Sequence, residues 1–153
     1  MANQYIVELL RRGLDSTEYS AIRQEWKTHS IAEDRRDIAG LISTLTEDCV
    51  YEVFPGGHPW EGHAGARGFY TELLTAFPDI VFELTHIVIG PQGVYEEASV
   101  SATHRGEWRG EQGTGERVEF TVSILFPWDR DRKKFAGERV HFLRGGPRIA
   151  RDE

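Results

Sequence analysis

Three side chains able to hold or move a proton stand where the residue pattern calls for apolar ones. In the stretch SATHRGEW, strand alternation puts Val100, Ala102, His104, Gly106 and Trp108 on one face, with Ser101, Thr103, Arg105 and Glu107 opposite. The first set is the inward one. His104 is therefore a titratable ring among small and apolar neighbours, with Ala102 and Gly106 leaving space beside it. A neutral imidazole donates from one nitrogen and accepts at the other, which suits it to take and return a proton near neutral pH. The same alternation in FAGERVHF groups Glu138 with Ala136, Val140 and Phe142, and sets Phe135, Gly137, Arg139 and His141 on the other face. A carboxylate on an apolar face is costly unless it is paired or protonated. Pairing with His104 would fix the ring's tautomer and make an acid–base couple. In CVYEVF, Tyr51 shares a face with Cys49 and Val53, so its phenol is placed to donate to a developing oxyanion. Plainer readings stand beside these: His104 bonded to a backbone carbonyl, Glu138 turned to Arg139 or Arg105, Tyr51 as a core residue.

Aromatic residues recur where they could wall a ligand pocket. Trp26 and His29 continue a helical stripe from Tyr19 and Ile22, while Phe69 and Phe77 belong to a stripe with Ala66, Tyr70, Leu73 and Leu74. Trp60 lies in the loop PGGHPWEGH, and Trp108 ends the histidine strand. His58 and His63 flank Trp60 and Glu61 at a spacing that matches no metal motif, which makes them rim residues and leaves no metal expected. RGEQGTGE joins two strands without the lysine-serine pair or following helix of a phosphate loop, and reads as a hairpin connection. His86, on a face with Phe82, Leu84 and Val88, reads as structural, and Cys49 has no activating partner. Nothing calls for a cofactor.

Positioning these residues takes one domain. The 153 residues carry a net charge of −7 without a basic tract, which argues against nucleic acid and anionic membranes as partners. A lone cysteine suits a reducing cytoplasm, MANQYIVELLRRGL lacks the layout of a signal peptide, and no apolar run approaches the roughly 18 residues of a membrane span. Residues 1–16 read as an arm, 17–143 as the domain and 144–153 as a tail. One helix starts at Ser16 or Thr17, a second follows AEDRRD at Ile38, and a third runs from Ala66 to Phe77, where Pro78 stops it. After the strand CVYEVF and this third helix, the period changes to two. IVFELTHIVI, VYEEASVSATHRGEW, RVEFTVSILFPW and FAGERVHFL then follow as strands joined hairpin by hairpin. That order reads as α+β, three helices on one face of a curved antiparallel sheet, closing a cone with an internal pocket.

AEDRRDIAGLISTLTEDCVYEV, WEGHAGARGFYTELLTAFPDI, ATHRGEW with TGERVEF, and FAGERVHF occur in this order over about residues 30 to 142. Together they resemble SnoaL-like proteins of the nuclear-transport-factor-2-like superfamily, which also holds polyketide cyclases, ketosteroid isomerase and limonene epoxide hydrolase. The resemblance implies a cystatin-like α+β barrel, a homodimer, and cofactor-free cyclase or isomerase chemistry on a small apolar, cyclic or polyketide-like molecule. A non-catalytic binding protein of the same fold is the alternative. His104 resembles the pocket histidine of SnoaL-like TH-x-G. Two positions depart: relatives carry an aspartate or asparagine where Val53 stands, and many an aspartate about where Ile124 stands. Both are expected to line the pocket without transferring a proton. The Asp-Arg-Asp set of the epoxide hydrolase has no counterpart around Ala102, His104 and Val140.

Overall fold

The computed structural model describes residues 3–143. The elements in order are α1 Gln4–Arg11, α2 Ser16–Asp34, α3 Ile38–Ser43, β1 Leu45–Phe54, β2 Trp60–Glu61, α4 Gly62–Ala76, β3 Val81–Gly90, β4 Gly93–Thr103, β5 Arg117–Asp129 and β6 Lys134–Leu143. The fold is α+β, and α2, α3 and α4 are the three helices read from periodicity. The arm contains a further helix: Asn3 caps α1 by accepting from the Ile6 N–H at 3.0 Å. Asp15, rather than Ser16 or Thr17, caps α2, accepting from the Glu18 N–H at 2.8 Å. The tail from 144 to 153 lies outside the described residues.

The six strands form one sheet in the order β2-β1-β6-β5-β4-β3. Consecutive strands from β3 to β6 pair antiparallel, as hairpin-joined strands must. β1 closes the row by pairing parallel to β6, so the sheet is not antiparallel throughout. α2 and α4 cover the concave face, and the core fills the space between them and the inward side chains of β1, β4, β5 and β6.

Two local features set the site. β4 ends at Thr103, five residues short of Trp108, because the N–H groups of Arg105 and Gly106 bond the Ala76 carbonyl at the end of α4 at 2.8 and 3.2 Å. A Cβ at Gly106 would stand 2.9 Å from the Thr75 carbonyl oxygen, so this approach needs glycine. RGEQGTGE is thus part of a long loop, 104–116, rather than a hairpin turn. His104 opens that loop, fixed by its N–H to the Glu116 carbonyl at 3.0 Å and its carbonyl to the Gly115 N–H at 2.7 Å.

The other feature is a register shift between β1 and β6, where Gly137 has φ 119° and pairs with Val50. Phe135, expected opposite Glu138, is instead fully buried on the same side, since the shift changes the phase of the alternation. β3 breaks its own pattern: as an edge strand it leaves most side chains exposed, and the side chain of His86, read as structural on a face with Phe82, Leu84 and Val88, is 73% exposed.

At Gly137 an added Cβ would fall 1.9 Å from the Val50 carbonyl oxygen, on a backbone that L side chains rarely adopt. Gly137→Ala should lower unfolding stability by roughly 3 kcal/mol or more, measured by urea denaturation. A loss below about 1 kcal/mol would show that the β1–β6 junction yields.

Candidate functional site

Glu138, 3% exposed, is the hub of a buried network. Its Oε1 accepts from the Tyr70 hydroxyl at 2.6 Å and the Tyr51 hydroxyl at 3.0 Å, and lies 3.0 Å from His29 Nε2. The two phenols are 2.8 Å apart, and Tyr70 also lies 3.1 Å from His29 Nε2. The Thr44 hydroxyl donates its one proton to the Leu41 carbonyl at 2.7 Å. The same hydroxyl lies 2.7 Å from His29 Nδ1 and, when its proton is on the Leu41 carbonyl, accepts from the ring. On the other side of the ring, His29 Nε2 faces Glu138 Oε1. The partner of Glu138 is thus His29 on α2, not His104. Burial, and next the charge of Glu138, push both tyrosine hydroxyls well above the usual phenol range. Tyr51 is a protonated donor committed to Glu138.

His104 lies elsewhere. It is 7% exposed, stacks on Phe77 with ring centres 4.9 Å apart, and its Nε2 has no hydrogen-bond partner among the described residues. With Phe77, Trp108, Val118, Phe120 and Phe142 it lines a cavity of about 700 Å³, within the range of small-molecule sites. Pro55, Arg109, Glu111 and Glu119 also line it. The Arg109 guanidinium donates to the Pro55 carbonyl at 2.9 Å, tying loop 104–116 to the segment after β1. Glu138 lines a separate inner cleft of about 10 Å³, the size of one water at most. Glu33, Phe69, Ile124 and Val140 share that cleft, and Phe142 borders both spaces.

Of the expected pocket residues, Phe77 and Trp108 line the outer cavity with His104, and Phe69 and Ile124 line the inner cleft. Trp26, His29, Val53, Trp60 and His63 line neither, nor does Tyr51. The polar atoms are engaged: the Trp26 indole donates to Glu96 at 2.9 Å, the Trp60 indole to Glu72 at 3.3 Å, and His63 Nε2 to the Leu45 carbonyl at 3.2 Å. Val53 is 5% exposed in the core on β1.

Sequence reasoning passed over Tyr70, Thr44, Glu96 and Glu33. Glu96 was within reach, since it alternates with Val94, Ala98 and Val100 on the inward face of β4. Glu33 extends the stripe Ile22, Trp26, His29 by one more step of four, but sits in the charged run AEDRRD. Burial foremost, with the charges of Glu138 and Glu96 adding, raises the Glu33 carboxyl well above its ordinary range. Burial likewise carries Glu96 up to about 7. No group of three or more His, Cys, Asp or Glu side chains suited to a metal ion occurs among the described residues.

A family model described as SnoaL-like polyketide cyclase matches residues 22–137. Among solved structures, a SnoaL-like protein from Jannaschia sp. CCS1 is 16% identical with TM-score 0.69, over 85% of this chain and 91% of that one. AclR from Streptomyces galilaeus is 24% identical with TM-score 0.65, over 82% and 90%. An LEH-like epoxide hydrolase from M. tuberculosis is 20% identical with TM-score 0.61, over 83% and 84%. These similarities show the fold. No protein of curated function matches the chain.

Because Glu96 has its folded pKa raised from 4.5 to about 7, the folded state keeps a proton that the unfolded chain loses over that interval. Stability therefore falls as pH rises from the lower value through the upper, by up to roughly 3 kcal/mol. Glu33 adds a change of the same sign. Glu96→Gln, whose carbonyl still accepts from Trp26, should be more stable than wild type at about pH 8 and should flatten the decline in urea midpoint above about pH 5. An unchanged slope would show that Glu96 ionises as freely in the folded chain as in the unfolded one.

Proposed function

The chain belongs to the SnoaL-like polyketide cyclase family, and on that premise we propose that it is a cofactor-free acid–base enzyme of the cyclase or isomerase type. Its substrate is an apolar cyclic or polyketide-like molecule held in the outer cavity. The observation that carries this reading is the partnerless, nearly buried Nε2 of His104 on a residue lining that cavity. Buried polar atoms normally find partners, and an exception calls for an explanation such as a ligand or a chemical role. In this reading His104 takes a proton from a carbon next to a carbonyl, and the freed electron pair moves toward the carbonyl oxygen. The enolate then either closes on a second carbonyl or regains the proton at another carbon. The aromatic walls restrict water around the charged intermediate and hold the reacting atoms in one arrangement. Arg109, at the cavity wall, is placed to orient an oxygenated end of the ligand.

Glu138, Tyr51 and His29 enter this reading as the support of the chamber rather than as its second proton carrier. Glu138 Oε1, the Tyr51 hydroxyl and His29 Nε2 are bonded to one another, and neither Tyr51 nor His29 lines the outer cavity or the inner cleft. That self-satisfaction also favours a second reading, a binding protein without turnover, in which His104 donates to or accepts from a captured molecule. A homodimer and a cytoplasmic setting belong to the proposal as well. Exposed Val81, Leu84, Ile87 and Val88 on β3 supply an apolar surface for a second copy, and the single, buried Cys49 suits a reducing compartment. No helix among the described residues is long and apolar enough to cross a membrane.

On a panel of lactones, polyketides and cyclic ketones, His104→Ala should lower kcat by about 10² to 10⁴ for any compound turned over, with KM changed only a few-fold. Equal kcat in the variant would remove His104 from the chemistry. Binding without turnover by the wild type across the panel would establish the second reading.

A further inference from the structure

The indole N–H of Trp128 has no part in the proposed chemistry, and it has no acceptor either. Trp128 is 5% exposed, and its Nε1 lacks a hydrogen-bond partner among the described residues. The indoles of Trp26 and Trp60, by contrast, donate to the carboxylates of Glu96 and Glu72. A buried donor left unpaired is costly, and a group left so in a folded protein calls for an explanation. Trp128 stands near the end of β5, edge-on to Phe135 with ring centres 5.4 Å apart, and lines a groove of about 620 Å³. That volume lies within the range of small-molecule sites. The groove shares no lining residue with the outer cavity or the inner cleft.

Three segments build it: the loop 12–15 between α1 and α2, the first turns of α2, and the turn 130–133 between β5 and β6. Arg130 ties them together, donating to the two carboxylate oxygens of Glu18 at 2.6 and 2.8 Å and to the Gly13 carbonyl at 2.8 Å. Leu14 and Ala21 are the apolar walls beside the indole. Of the charges on the walls, Glu18 is neutralised by Arg130. Asp15 accepts from the Glu18 N–H at the start of α2, where the helix dipole favours a carboxylate. Lys133 is the cation left over: its ammonium has no ion pair or hydrogen bond among the described residues. An indole N–H and an ammonium, both without acceptors, thus border one groove with an apolar wall.

We infer that this groove is a second ligand site, which takes a flat apolar molecule bearing a carboxylate. The apolar body lies along Leu14, Ala21 and Trp128, and the carboxylate accepts from the Trp128 indole and pairs with Lys133. Hydrogen bonds to an ionised acceptor are stronger than those to a neutral one, so the charged ligand is preferred over a neutral one of the same shape. Neither His104 nor the outer cavity enters this inference, which stands or falls apart from the proposed reaction. It also gives the arm a part in binding, since the loop that ends it forms one wall.

The test follows the indole N–H cross-peaks of nitrogen-15-labelled protein, one for each of Trp26, Trp60, Trp108 and Trp128. The Trp128 peak is identified by its loss in Trp128→Phe, or by elimination with the other three replaced in turn if that core change unfolds the chain. Added 2-naphthoate should move the Trp128 proton downfield to saturation, and 2-naphthamide, matched in shape but uncharged, should bind about threefold more weakly. Lys133→Ala, in an exposed turn, should weaken naphthoate about threefold and bring the two probes level. His104→Ala should leave the Trp128 titration as in wild type. A Trp128 peak unmoved at about 1 mM naphthoate overturns the inference, because such a site would then be too weak to matter. So does a preference for naphthoate that survives in Lys133→Ala. A Trp128 shift that follows that of Trp108 and is lost in His104→Ala would place the probe in the outer cavity, and overturns it as well.

Discussion

A carboxylate in the core must be given donors, and the demand of Glu138 organises this molecule. Its Oε1 draws Tyr51 from β1, Tyr70 from α4 and His29 from α2 to one point, while Thr44 at the end of α3 holds the far side of the His29 ring. Four segments separated widely in sequence are thereby tied to β6. Left unpaired, such a charge would cost several kcal/mol, and a missing partner would leave the others short in turn. The bulge at Gly137 completes this geometry, because it brings Phe135 and Glu138 to the same side of β6. Phe135 then packs edge-on against the His29 ring at 6.3 Å.

The closed network and the open cavity divide the polar chemistry of the interior. Around Glu138 the hydroxyls of Tyr51 and Tyr70 and the His29 ring all meet Oε1, so that network is a clamp. At His104 the reverse holds: the ring stacks on Phe77, the backbone on both sides is bonded, and Nε2 is left without a partner among the described residues. Rigid placement of one unsatisfied group beside an apolar space is the arrangement that ligand recognition and proton transfer both use. The loop carrying His104 is anchored to the end of α4 through the Ala76 carbonyl and to the segment after β1 through Arg109.

Much of this arrangement is legible in the sequence. Alternation correctly gave the inward direction of His104, Glu138 and Tyr51, and even of Trp108, which stays buried although β4 has ended. Alternation reports a face, though, and not a depth along it. His104 and Glu138 share the inward direction but occupy different spaces, and the partner of Glu138 lies 109 positions away on a helix. Phe135 was misplaced because a bulge shifts the phase, and the glycine that permits it looks like any other glycine in sequence. Glu33 was passed over because it stands in the charged run AEDRRD, although its position continues the stripe of Ile22, Trp26 and His29 by one more step of four. The resemblance drawn from four short motifs led to the family that the chain belongs to, and it did not assign residues: of the two positions it marked for the pocket wall, Ile124 lines the inner cleft and Val53 lines neither space.

The central claim is that His104 moves a proton to or from carbon in the outer cavity. The most direct test is deuterium wash-in at the carbon next to the carbonyl of a cyclic ketone such as tetralone, followed by proton NMR in heavy water. The account predicts exchange above the protein-free rate with wild type and its loss in His104→Gln, whose amide keeps a polar group on the cavity wall but cannot act as a base at neutral pH. Equal exchange in the two proteins, or none above the protein-free rate in wild type, would contradict it.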